Sequence, residues 1–285
     1  MTTQRKQIEN HLLIVNKQRS VVKLKLNDIQ ARYDDERTNR DIILKARQEG
    51  FSSLILAQFL IDCLHTENTQ SVVVSHEAKA TERLLKRVKY YIDYFYNGND
   101  FIKIPLKYNS KSELYFPETN STFYIGTAGQ KSFGRGDVIN NLHVSEIAFF
   151  ENPEEFITGI IPAVPDDGRI VMETTANGFN FLKQYWEQSR TGETPFTTHF
   201  FPWWWHNEYQ IIGEKLGNLS DDEVSLIERF DVTEDQLRWR RRKMNEFPNK
   251  EKFQQEYPAD EFEAFISSGK PVFNTEILKR YLARL

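Results

Sequence analysis

Between residues 41 and 204 the sequence alternates short β-branched or aromatic runs with stretches whose apolar residues recur at helical spacing. That alternation constrains the fold more than any other feature. The runs at 41–46, 71–76, 112–116, 121–128, 140–150, 168–175 and 196–204 read as strands. Those at 52–65, 77–95, 153–160 and 178–189 read as helices. Strands alternating with helices predict an α/β fold with a mostly parallel sheet and right-handed crossovers. Ahead of this core, residues 1–35 are polar and read as helical, with an extended stretch near Val21 to Leu26.

After Trp205 the strand pattern stops. "SDDE" (220–223) and "TEDQ" (233–236) are capping boxes, each opening a helix. The chain therefore divides into an α/β core at 1–205 and a smaller helical subdomain at 206–285. Its 285 residues can bury a substantial core. The net charge of −4 argues against coating nucleic acid by bulk charge, so any such contact needs a local basic patch. One cysteine, Cys63, excludes an internal disulfide framework and points to a reducing, cytoplasmic setting. No apolar run approaches a membrane span, and the polar N-terminus is unlike a secretory signal.

The stretch "KARQEGFSS" (45–53) joins a strand to a helix and can be laid on the phosphate-loop pattern G-x-x-x-x-G-K-[ST]. Lys45 stands in the first glycine's place, Gly50 is in register, and Phe51 occupies the lysine slot before Ser52. Such a loop offers backbone N–H groups and a helix N-terminus to a phosphate. Ser52 offers a hydroxyl to Mg²⁺, and Lys45 or Arg47 could supply the missing cation. The same letters also read as a plain glycine turn with solvated charges. In "INNLHVSEIAFF" a hydrophobic strand ends in Ser145-Glu146 where an ATPase of this architecture has Asp-Glu. Glu146 could activate water and Ser145 could contact Mg²⁺, or Glu146 is a solvated strand-end carboxylate. In "VMETTANGFN" the residues Thr174, Thr175 and Asn177 could sense the γ-phosphate. Thr175 or Asn177 could equally cap the following helix. All three features fall at strand ends, in the order that a P-loop ATPase requires.

These motifs resemble the N-terminal ATPase domain of the large terminase subunit of tailed bacteriophages, the motor that packages DNA into proheads. The resemblance implies a RecA-like, ASCE-type P-loop core with a displaced Walker A lysine. Lys45, Arg47, Gln48, Gly50, Ser52 and Ser53 would hold ATP and Mg²⁺, and Gln30 in "LNDIQARYDD" would bind the adenine edge. Glu146 on the Walker B strand would be catalytic, with Mg²⁺ held by Ser52 and Ser145. Arg135 in "SFGRGDVINNLHVSE" would be an arginine finger acting on a neighbouring subunit, and Thr174, Thr175 and Asn177 would couple hydrolysis to motion.

The resemblance covers about residues 24–273. The implied partners are double-stranded DNA, the portal protein, the small terminase subunit and further copies in a ring, in the host cytoplasm at the prohead portal. Large terminases continue into an RNase H-like nuclease, which the resemblance implies is absent from this polypeptide, through excision of the domain or a split gene. The run "RWRRRK" (238–243) and the helix around Lys86, Arg87 and Lys89 are the candidate DNA contacts. "FFPWWWH" (200–206) reads as inter-subdomain core. A helicase of superfamily 2 is a rival, but Ser145-Glu146-Ile147-Ala148 does not fit its D-E-x-[HD] box. A non-catalytic nucleotide-binding scaffold is the other alternative.

Overall fold

Runs whose residues are buried on both faces can only be interior strands of a sheet covered on both sides. A computed structural model, describing residues 2–128, 138–178 and 180–265, shows this arrangement. The chain opens with α1 (Thr3–His11), a two-stranded ribbon of β1 (Leu13–Val15) and β2 (Val21–Lys23), and α2 (Asp28–Glu36). The core follows as β3 (Arg40–Lys45), α3 (Phe51–His65), β4 (Gln70–Ser75) and α4 (Ala78–Asp93). An antiparallel edge comes next, from β5 (Tyr108–Asn109), β6 (Glu113–Phe116) and β7 (Ser121–Thr127). Then come β8 (Asn141–Ser145), α5 (Pro153–Ile160), β9 (Arg169–Thr174), α6 (Phe181–Arg190) and β10 (Thr197–Phe201).

The main sheet runs β10-β3-β9-β8-β4-β7-β6-β5, parallel from β10 to β7 and antiparallel at the β6 and β5 edge. The fold is therefore α/β with a mostly parallel sheet, as the alternation predicts. The two-residue β5 has too little pattern to be read from sequence. One face is covered by α1 to α4, through Leu54, Phe59, Leu85 and Val88 among others. The other packs Ile157, Ile160, Leu182 and Trp186 from α5 and α6.

Beyond β10 the described residues form only helices: α7 (Asp221–Phe230), α8 (Glu234–Met244), α9 (Lys250–Glu256) and α10 (Glu261–Ala264). Ser220–Glu223 and Thr233–Gln236 form reciprocal capping boxes at the starts of α7 and α8. These helices share a third core with the sheet, in which Trp203, fully buried, meets Ala46, Leu237, Phe253 and Tyr257. Trp203 stacks on Trp239, and Trp204 on Phe230. The aromatic run is thus packed as core rather than offered as a platform for bases. No helix among the described residues is long and apolar enough to cross a membrane.

Phe51, the residue in the lysine slot, is the first residue of α3 and is buried, edge-on to Tyr33 and 4.7 Å from the ring of Phe201. Its side chain belongs to the core, so a lysine there would bury an unpaired ammonium. Phe51→Ala should cost about 3–5 kcal/mol in urea unfolding. Phe51→Lys, which restores the usual letter, should also destabilise rather than improve nucleotide binding.

Candidate active site

In open parallel sheets, ligands bind beyond the carboxyl ends of the strands. Here the ends of β3, β8 and β9 bring together the residues singled out in the sequence. The order places β9 between β3, which feeds the loop, and β8, which carries Glu146. Register aligns Leu44 with Thr174 and Ser145 with Glu173.

Lys45 ends β3 with its side chain buried, and its Nζ lies 3.2 Å from Glu173 Oε2 and 3.6 Å from Glu146 Oε1. Burial alone would pull the ammonium's pKa down. The Glu173 and Glu146 carboxylates outweigh it, and the net displacement is upward. Burial similarly pushes Glu173 up, but the Lys45 charge and the nearby His143, at 3.5 Å, hold its carboxyl well below the usual range. Glu173 Oε1 also accepts hydrogen bonds from Ser52 Oγ at 2.6 Å and Ser145 Oγ at 3.0 Å.

Glu146 itself sits in the left-handed region, with φ 60° and ψ 46°, which costs a non-glycine residue about 1–2 kcal/mol. Its N–H donates to the Glu173 carbonyl at 2.7 Å. Its side chain accepts from the Thr175 N–H at 3.3 Å and lies 3.3 Å from Thr174 Oγ1. Asn177 Nδ2 donates to the Ala148 carbonyl at 3.1 Å, so the turn after β9 is tied to the segment after β8. The helix-cap reading of Thr175 or Asn177 gives way: Asn180 caps α6, accepting from the Leu182 N–H.

The loop leaves β3 with Gln48 at φ 63° and Gly50 at φ 85°. A Cβ on Gly50 would come 2.6 Å from Gln30 Nε2, which donates to the Gly50 carbonyl at 2.7 Å. Only glycine satisfies both demands. Gln30 Oε1 accepts from the Asn27 N–H, completing a capping box at the start of α2. Both amide atoms of the expected adenine ligand are therefore engaged with the protein. Gln30 nevertheless borders a cleft of about 450 Å³ lined also by Val15, Lys17, Gln48, Gly50 and His206.

Arg47 pairs with Glu256 of α9 at 2.9 Å, and its N–H donates to the Glu256 carbonyl at 2.8 Å. The two candidate cations are thereby separated, since Lys45 alone reaches the buried carboxylates. Ser53 Oγ accepts from Arg87. Arg135 lies outside the described residues. Of the basic run, Arg238, Arg240, Arg241 and Lys243 are paired with Asp235, Asp222, Glu223 and Glu246.

Two buried carboxylates near these strand ends carry no assigned role in the sequence reading. Glu173 is one, and its signal was a charged letter inside an apolar strand, which requires a partner if buried. Glu49, inside the loop, is the other. It is fully buried, neither oxygen has a hydrogen-bond partner among the described residues, and burial raises its pKa well above 4.5 despite the Lys45 charge.

This strand order, with a loop after β3 and carboxylates at the ends of β8 and β9, is that of a RecA-like α/β fold. Solved structures narrow the class further. The ATPase domain of the Thermus phage P74-26 large terminase aligns with TM-score 0.56 at 14% identity, covering 83% of this chain and 94% of that one. The HK97 bacteriophage large terminase aligns with TM-score 0.61 at 16% identity, over 98% of this chain and 58% of that one. The large terminase of a thermophilic bacteriophage, solved in complex with ADP, aligns with TM-score 0.51 at 13% identity, over 78% of this chain and 48% of that one. The chain has the fold of a phage large terminase ATPase domain. No family model matches the sequence, and no curated protein does.

Lys45→Met should leave Glu173 buried and unpaired and cost about 3–5 kcal/mol in chemical denaturation. Glu49 carries the opposite sign. Its raised carboxyl favours the fold below the ordinary value of 4.5, and that contribution is lost as pH rises through the raised value. Glu49→Gln should therefore raise the melting temperature at about pH 8 and leave it nearly unchanged at about pH 4.

Proposed function

We propose that this chain is the ATPase of a phage DNA-packaging motor, hydrolysing ATP to translocate double-stranded DNA. The observation that carries the reading is Lys45 and Glu146, set 3.6 Å apart across the intervening strand at the N-terminus of α3. In this reading the first N–H groups of α3, free by construction, and Lys45 bind the phosphates. Phosphate oxygens compete for the Lys45 ammonium and free Glu146, which orients and deprotonates the attacking water. The Ser52 and Ser145 hydroxyls, both held at one carboxylate oxygen, fit a hard divalent cation. Mg²⁺ bound there with ATP would neutralise charge developing on the transferred phosphoryl group. Thr174, Thr175 and Asn177 join Glu146 to the segment after it and would report hydrolysis onward. Adenine would occupy the cleft beside Gln30, with Gln48 and Gly50 at its floor, and Ser53 would complete the loop.

Arg135 of a neighbouring copy would stabilise the transferred phosphoryl, making a ring the active unit. The core at 1–205 would then act with the helical part at 206–285, alongside a portal protein and a small terminase subunit, at the prohead in the host cytoplasm. DNA would be held through its phosphates without sequence reading. The surface around Lys86, Arg87 and Lys89 is a better candidate than the internally paired run at 238–243.

The test is Mg²⁺-dependent ATP hydrolysis by the full chain over a range of protein concentrations. Glu146→Gln should lower turnover by about 10²–10⁴ while still binding nucleotide, and specific activity should rise with concentration. Nucleotide binding without hydrolysis by the wild-type chain would favour the non-catalytic scaffold, and hydrolysis unaffected by Glu146→Gln would remove the role of Glu146. Absence of any nucleotide binding would end the motor reading.

A further inference from the structure

The acidic strand of this chain has Ser145 where an aspartate is expected, which leaves the metal side of the site one carboxylate short. The sheet register supplies a candidate. Ser145 on β8 lies directly beside Glu173 on β9, and Glu173 is fully buried at the strand end. Two hydroxyls from different elements, Ser52 of α3 and Ser145 of β8, converge on the same oxygen, Oε1, at 2.6 and 3.0 Å. The other oxygen faces Lys45.

A serine hydroxyl has one proton and two acceptor lone pairs. With both protons given to Glu173, the lone pairs of both serines point elsewhere. Two neutral oxygens fixed in this way suit a hard divalent cation, which selects oxygen ligands. A buried ion pair is not in itself stabilising relative to apolar residues of the same size. The two hydroxyls satisfy the buried carboxylate with their protons and offer only their lone pairs onward.

We infer that Glu173 replaces, from the neighbouring strand, the carboxylate absent at position 145, and acts as a positioning residue that holds the Ser52 and Ser145 hydroxyls for a divalent cation bound with the nucleotide. The inference rests on the nucleotide-binding reading of the site.

The experiment titrates Mn²⁺, read by electron paramagnetic resonance, into the full-length protein with ADP, alongside ADP affinity in EDTA. Glu173→Gln should weaken Mn²⁺ in the ternary complex by about 10–100-fold, as loss of an outer-shell partner does, with ADP affinity in EDTA retained. Moving the carboxylate back, as Glu173→Gln with Ser145→Asp, should recover most of that loss, which a purely structural role would not predict. Ser145→Ala keeps Glu173 and its ion pair, so it reads the site even if Glu173→Gln does not fold, and it too should weaken Mn²⁺.

Unchanged Mn²⁺ affinity in folded Glu173→Gln or in Ser145→Ala would overturn the inference while leaving nucleotide binding standing. So would a Glu173→Gln protein that loses ADP equally in EDTA, because the defect would then lie with the phosphates. A wild-type protein that binds no ADP under either condition would remove the nucleotide reading and this inference together.

Discussion

Everything at the carboxyl end of this sheet is arranged around one buried ammonium. Lys45 lies at the end of an interior strand, where an unpaired charge would be driven to neutralise, yet two carboxylates keep it charged. Those carboxylates come from two different strands. The parallel register of β3, β9 and β8 is thus a condition for the site as well as a result of packing. Glu173 in turn fixes two serines, and Glu146 is fixed by the turn after β9. The polar network is closed by contacts among neighbouring strand ends and by Ser52 at the start of α3.

Much of this architecture was legible in the letters. The strand and helix alternation, the capping boxes at Ser220 and Thr233, and the placement of Glu146 at a strand end all follow from local pattern. Glu173 was legible as a letter but its role was not, because its partners are set by the β8–β9 register, separated by a whole helical crossover. The competition between Lys45 and Arg47 was undecidable for a related reason. Both lie in the same short segment, and only α9, about two hundred positions later, supplies the Glu256 that engages Arg47. The resemblance implies Gln30 as an adenine ligand, while its observed contacts depend on Gly50 approaching α2.

The departure at Phe51 is coherent in this light. If Lys45 is the phosphate cation, as proposed, the helix start does not have to present a lysine. The position can then be given to the core formed with Tyr33 and Phe201. The loop keeps its glycine, at φ 85° and close against Gln30.

The loop is also held from the far side of the chain. The Arg47 N–H donates to the Glu256 carbonyl, Tyr209 Oη donates to the Arg47 carbonyl, and Ala46 donates to Phe201. Its backbone is therefore shared property of the sheet and of the helices that follow it. Free-energy coupling between two places is reciprocal. If the loop binds nucleotide as proposed, a tug that shifts Glu256 or Tyr209 would alter how firmly it grips, and that grip would resist the tug in equal measure.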